Sequence, residues 1–163
     1  NIQFETSKGS FYMEDLRNFG TLSILDNDEL EKLLIKIGPD LIHDKISFKQ
    51  YEEIMNKHQK IKIGQFLNEQ KYFSGVGNYI RAEVCYEAKI SPFKLIKNMS
   101  IEEKKELFKQ LIKVIHKAYE LLFKGNKYPM KVYKQKMTPF GEKVVVERLE
   151  ANRNIYWVPS VQK

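Results

Sequence analysis

The 163 residues allow one large domain or two small ones, with enough chain for a real hydrophobic core. Lysine and arginine (28) outnumber aspartate and glutamate (21), and the resulting +7 suits an anionic partner without specifying it. No apolar run approaches membrane-spanning length. The single Cys85 excludes an intrachain disulfide and points to an intracellular setting, and His43, His58 and His116 match no metal-ligand spacing.

Ile2, Phe4 and Thr6 alternate with polar residues, Ser7–Ser10 offers a turn, and Phe11, Met13 and Thr21–Leu25 continue a strand pattern. Such a ribbon is marginal alone, so it is read as the trailing edge of a larger sheet or as pairing with another element. A short helix opened by Asp28 carries Leu30, Leu33 and Leu34 and is ended by Gly38-Pro39; residues 38–46 read as a hinge. Helical pattern resumes over Ser47–His58, and Ile63, Phe66, Leu67 and Gln70 then fall on one helical face. Beyond a two-glycine turn, Ala82, Val84, Cys85, Tyr86 and Ala88 form a second apolar stripe. Ser100 and Glu103 make a capping box for the longest helix, whose core stripe is Leu107, Leu111, Val114, Ala118 and Leu121. Lys143–Leu149 and Arg153–Val158 are strand-like around a turn at Glu150–Asn152, giving a basic terminal hairpin.

The densest signal is the stretch Tyr72–Glu83. Gly75 and Gly77 allow positive φ and close backbone approach, and Asn78 is expected to cap the following helix by accepting from its first amides. Outward-facing N–H groups at a helix N-terminus favour a phosphate, although an ordinary helical hairpin fits the same four residues. Lys124, Lys127, Lys131, Lys134 and Lys136, with Tyr128 and Tyr133 between them, read either as a segment along a phosphate backbone or as a solvated connector. Arginine occurs only at 17, 81, 148 and 153, so each placement carries information.

With these parts in order, the chain resembles the Fpg/Nei family of DNA glycosylases. Gly75-Val76-Gly77-Asn78-Tyr79-Ile80-Arg81-Ala82-Glu83 is similar to the helix–two-turn–helix of the Nei-like (endonuclease VIII-like) branch. Asp15-Leu16-Arg17-Asn18-Phe19-Gly20 is similar to the family's D-x-R-R-F-G loop, and Gly38-Pro39-Asp40-Leu41 to its hinge element. The ending Arg153–Gln162 resembles the zinc-finger pattern with Val158 and Val161 at two cysteine positions and Phe140 at an earlier one, side chains that offer zinc no lone pair. The resemblance therefore implies a zincless finger and no metal or other cofactor.

The implied fold is α+β: a helix–two-turn–helix domain with a C-terminal β-hairpin, preceded by the trailing strands of an N-terminal β-sandwich. The corresponding divisions are 1–37, the hinge at 38–46, the helical DNA-binding domain at 47–136 and the finger at 137–163. The implied activity is base excision: an oxidised base, a pyrimidine by the Nei-like likeness, is flipped and released through a Schiff base on an N-terminal proline, and the strand is cut by elimination. The same likeness makes Asn78, Arg153 and Lys62 phosphate contacts, with Gly75 and Gly77 forming the turn and Arg17 and Phe19 filling the void. Asn18 stands where the family has a second arginine, and the catalytic proline, its glutamate and the hairpin lysine are expected upstream of Asn1. The expected partner is damaged duplex DNA, with single-stranded DNA a second form, bound by a monomer. Two readings compete: a non-enzymatic helix–two-turn–helix nucleic-acid-binding module, and a basic helical interaction domain without a nucleic-acid role.

Overall fold

The computed structural model describes residues 2–15, 20–150 and 153–163, and divides into units at 1–34 and 35–163. In the first unit, strands Ile2–Thr6 (β1) and Gly9–Met13 (β2) form an antiparallel hairpin with Phe4 opposite Phe11, their rings stacked at 4.6 Å. The stretch Thr21–Leu25 is not a strand, contrary to its alternating pattern, and Ile24 is 97% exposed. Alternation fixes a strand only where a neighbouring ladder takes up its backbone groups, and the two-stranded sheet ends at β1 and β2. Helix Asn27–Leu34 (α1) follows. Its cap is Asp26 rather than Asp28: Asp26 Oδ1 accepts from the Glu29 amide at 2.8 Å, and Glu29 Oε2 accepts from the Asp26 amide at 3.1 Å. The helix ends before Gly38-Pro39 is reached.

The second unit contains helices Phe48–Asn56 (α2), Ile63–Leu67 (α3), Asn78–Glu87 (α4) and Ile101–Phe123 (α5). Ser47 with Gln50, and Ser100 with Glu103, form complete capping boxes at α2 and α5. Leu107, Leu111, Val114 and Ala118 of α5 are buried as their spacing predicts, against Tyr51, Phe66, Phe73, Val84 and Cys85. Strands Val145–Glu150 (β3) and Arg153–Trp157 (β4) pair antiparallel, and the turn residues 151–152 lie outside the described residues.

A second core of Val132, Val144, Leu149, Ile155 and Val158 lies under this hairpin and takes Ala82 and Tyr86 from α4. Helix α4 thus serves both cores and is buried on every side, which explains why its residues 80–86 mix apolar and charged types without a polar face. Val158 is fully buried in this second core. Phe140 does not share in this packing: it is 71% exposed, with the Lys131 ammonium 5.7 Å from its ring centre.

Gly38 and Pro39 are tied to the turn before α4. Its amide donates to the Gln70 carbonyl at 2.8 Å, and the Ser74 amide donates to the Pro39 carbonyl at 3.0 Å. A Cβ at Gly38 would stand 2.4 Å from the Tyr72 carbonyl carbon, so no other residue fits without moving backbone.

Candidate nucleic-acid interface

The short helix α3 stops at Leu67, so Gln70 belongs to the turn and not to the helical face expected from its spacing. It staples that turn instead. Gln70 Oε1 accepts from the Gly75 amide at 3.0 Å, and Gln70 Nε2 donates to the Val76 carbonyl at 2.9 Å. Gly75 takes φ +82°, a conformation its missing Cβ permits. Its N–H is therefore occupied and does not face a ligand, which corrects one part of the phosphate-seat expectation.

The cap of α4 is also different from the sequence reading. Gly77 is the N-cap residue, with φ −95° and ψ −177°, and no side chain caps the helix. Asn78 is the first helical residue, and its Oδ1 accepts from Arg81 Nη2 at 3.2 Å. A glycine cap leaves the first amides of α4 without an internal acceptor among the described residues, whereas a capping asparagine would have consumed one. Those N–H groups and the positive end of the helix are what an anion would meet.

Gly77, Asn78 and Arg153 line one open concavity with Asn68, Gln70 and Val76. Asn78 and Arg153 are exposed. Lys62, assigned to phosphate contact by resemblance, and Gly75, assigned to the turn, are not among the residues that line this concavity. Lys62 is the N-cap residue of α3 and is half-buried, with its ammonium 5.5 Å from the Phe93 ring centre. Gly75 borders a neighbouring apolar hollow with Ile42, Tyr79 and Tyr119. Arg17 and Phe19, assigned to void filling, lie outside the described residues.

Two charged residues of α4 are buried and tie the helix to other segments. Arg81 is fully buried, and burial pushes its guanidinium pKa down from the ordinary value. It donates through Nη1 to the Gly64 carbonyl at 3.3 Å and to Glu150 Oε1 at 3.4 Å, and through Nη2 to the Asn154 carbonyl at 3.0 Å. Glu83, equally buried, accepts from the amides of Lys131, Val132 and Tyr133 at 2.9–3.1 Å. Neither role was assigned from the sequence. The available signal was two opposite charges two residues apart inside an apolar helical pattern, in a chain with four arginines.

The lysine-rich segment is only partly free to meet a polyanion. Lys131 pairs with Glu87 at 2.6 Å and Lys124 with Glu120 at 2.5 Å, while Lys127, Lys134 and Lys136 are exposed. Tyr79, Tyr133 and Tyr156 link α4, this segment and β4 through ring centroids 6.3 and 5.2 Å apart. Tyr128 packs 6.1 Å from Tyr79, and its hydroxyl pKa is pushed up to about 12, by burial first and then by Glu83 and Glu87. Among the described residues, no three His, Cys, Asp or Glu side chains are grouped to hold a metal ion, and no helix is long and apolar enough to cross a membrane.

Comparison with known proteins agrees with this architecture. Residues 37–128 match the formamidopyrimidine-DNA glycosylase H2TH domain, and residues 121–163 match the formamidopyrimidine-DNA glycosylase C-terminal domain. A formamidopyrimidine-DNA glycosylase of Arabidopsis thaliana is 31% identical over 115 residues, covering 71% of the chain and 29% of the relative. Endonuclease 8-like L720 of Acanthamoeba polyphaga mimivirus is 26% identical over 152 residues, covering 86% of the chain and 53% of the relative. The structure of MutM in complex with carbocyclic 8-oxo-G containing DNA superposes with a TM-score of 0.82 at 27% identity, over 99% of the chain and 64% of that protein. The chain thus spans about a third to two thirds of the proteins it matches. With the helix–two-turn–helix and the terminal hairpin both matched in order, the chain belongs to the formamidopyrimidine-DNA glycosylase family.

Proposed function

We propose that the chain is the DNA-recognition part of a base-excision glycosylase that removes oxidised bases, pyrimidines among them, and nicks the abasic site by Schiff-base elimination. The observation that carries this reading is the meeting of the uncapped N-terminus of α4, Asn78 and Arg153 on one concavity. Helix amides and a guanidinium both recognise phosphate, and two such contacts on adjacent elements suit a bent backbone at a flipped nucleotide. Arg17 and Phe19 supply a planar cation and an apolar wedge for the vacated stack. Lys62, which does not line the concavity, provides a further phosphate contact. The relative solved on DNA containing carbocyclic 8-oxo-G supports damaged duplex as the ligand. In this reading residues 1–37 complete an upstream β-rich domain, 38–46 form the hinge, 47–136 the DNA-binding domain and 137–163 the finger.

Borohydride trapping tests the chemistry. The chain and any longer product of the same gene are incubated with duplex bearing an abasic or oxidised-pyrimidine site, and covalent adducts are counted. An adduct from the longer product alone supports a nucleophile outside these residues. An adduct from the chain itself would require a nucleophilic amine within it. No adduct from either would favour a non-enzymatic binding module.

A further inference from the structure

Arg81 presents a physical puzzle. Among the described residues it is the largest fully buried side chain, its bonds run from 3.0 to 3.4 Å, and its Nε has no partner. Burying a guanidinium on such terms contributes little stability compared with an apolar side chain of the same volume. What the arrangement does supply is geometry. A single nitrogen, Nη2, donates both to the Asn78 side chain and to the carbonyl of Asn154, the residue next to Arg153 in β4.

We propose that Arg81 is a positioning residue for DNA binding, which orients the Asn78 amide and fixes its distance from the finger strand that carries Arg153. This rests on the reading of Asn78 and Arg153 as phosphate contacts. With Asn78 Oδ1 held by the guanidinium, its Nδ2 becomes the free end of the amide. Asn78 then offers a phosphate two N–H donors rather than an acceptor that would repel it. The bonds to the Asn154 carbonyl and to Glu150 tie the start of α4 to both strands of the hairpin, and the bond to the Gly64 carbonyl ties it to α3. A lysine at this position has one ammonium on a flexible stem and cannot reproduce the planar fork. The two elements otherwise meet through the second apolar core, which sets no angle for Asn78.

The test is a cycle of Asn78→Ala, Arg81→Met and the double variant, with Arg153→Ala alongside. Affinity is read by fluorescence anisotropy on a duplex containing a tetrahydrofuran abasic analogue. Asn78→Ala is expected to weaken binding ~10-fold, the scale of one hydrogen bond to a charged group. Arg81→Met is expected to weaken it by a similar factor, and the double variant by no more than ~3-fold beyond either single change, because Arg81 acts through Asn78. Arg81→Lys is expected not to restore binding.

Factors that multiply in the double variant would show that Arg81 acts independently, and overturn the proposal. So would an unchanged affinity in Arg81→Met beside a weakened Asn78→Ala, an outcome that leaves the interface itself standing. Unchanged affinity in both Asn78→Ala and Arg153→Ala would instead overturn the interface, and the positioning role with it. Should Arg81→Met fail to fold, the unsubstituted chain decides by NMR. The Arg81 guanidinium protons are expected in slow exchange with water and displaced on adding duplex, with that displacement reduced in Asn78→Ala. Signals in fast exchange, or unmoved by DNA, would refute the role.

Discussion

Glu83 Oε1 accepts a hydrogen bond from the Val132 amide at 3.0 Å, which fastens the lysine-rich segment to the middle of α4. The same carboxylate takes the amides of Lys131 and Tyr133. Glu83→Gln keeps the shape but replaces one acceptor oxygen by a donor facing backbone N–H groups. The cost should be about 2–4 kcal/mol, the range for disrupting a buried charge-assisted network. Urea unfolding followed by the single Trp157, which lies in β4, measures it. A loss below about 1 kcal/mol would mean that the loop holds its place without the carboxylate.

That relationship also marks the boundary of what the sequence makes legible. Capping at Ser100, the α5 core stripe and the order of hairpin, helix and turn all follow from local patterns, because each depends on residues three or four apart. The placements of Arg81 and Glu83 depend on partners 17 to 73 residues away, and no local period encodes them. Asn78 illustrates a subtler limit. An asparagine beside a glycine reads equally well as a cap or as a first-turn residue, and the buried Arg81 one turn along decides between them. Thr21–Leu25 alternates like a strand yet forms none, since pairing is a property of neighbours.

Arg153 should discriminate between damaged and intact duplex. It is exposed at the start of β4, on the concavity that Asn78 shares, so its guanidinium is free to grip a displaced phosphate. Arg153→Ala is expected to weaken binding to an abasic duplex by ~10-fold or more, with a loss of about threefold or less on undamaged DNA. Parallel titrations at two salt concentrations separate the effects. Equal losses on both duplexes would reduce Arg153 to a general phosphate contact.

The finger should depend on packing rather than metal. Val158 is fully buried with Ile155 and Leu149 in the second core. Val158→Ala is expected to cost about 2 kcal/mol through lost transfer energy and a residual cavity. The unfolding midpoint should be the same with and without EDTA, and elemental analysis should find no stoichiometric zinc. A midpoint lowered by chelation would overturn the packing account.

Stability should fall steeply above pH 10, for a reason that two tyrosines make specific. Burial, followed by the charges of Glu83 and Glu87, pushes the Tyr128 hydroxyl up to about 12. Burial and the hydrogen bond to Glu142 push Tyr86 to about 12 as well. In the unfolded chain both phenols ionise near the ordinary 10.0. Between these values the unfolded state has released protons that the folded state still holds, so the unfolding free energy must decline as pH rises. The contribution is complete below pH 10 and is lost on passing through 12. Each tyrosine should add a slope of about one proton in that window. Tyr128→Phe should therefore flatten the stability–pH curve by about one proton between pH 10 and 12 while leaving its shape near neutrality unchanged. Urea midpoints measured across that range decide the matter, and an unaltered alkaline slope in Tyr128→Phe would place the titration elsewhere.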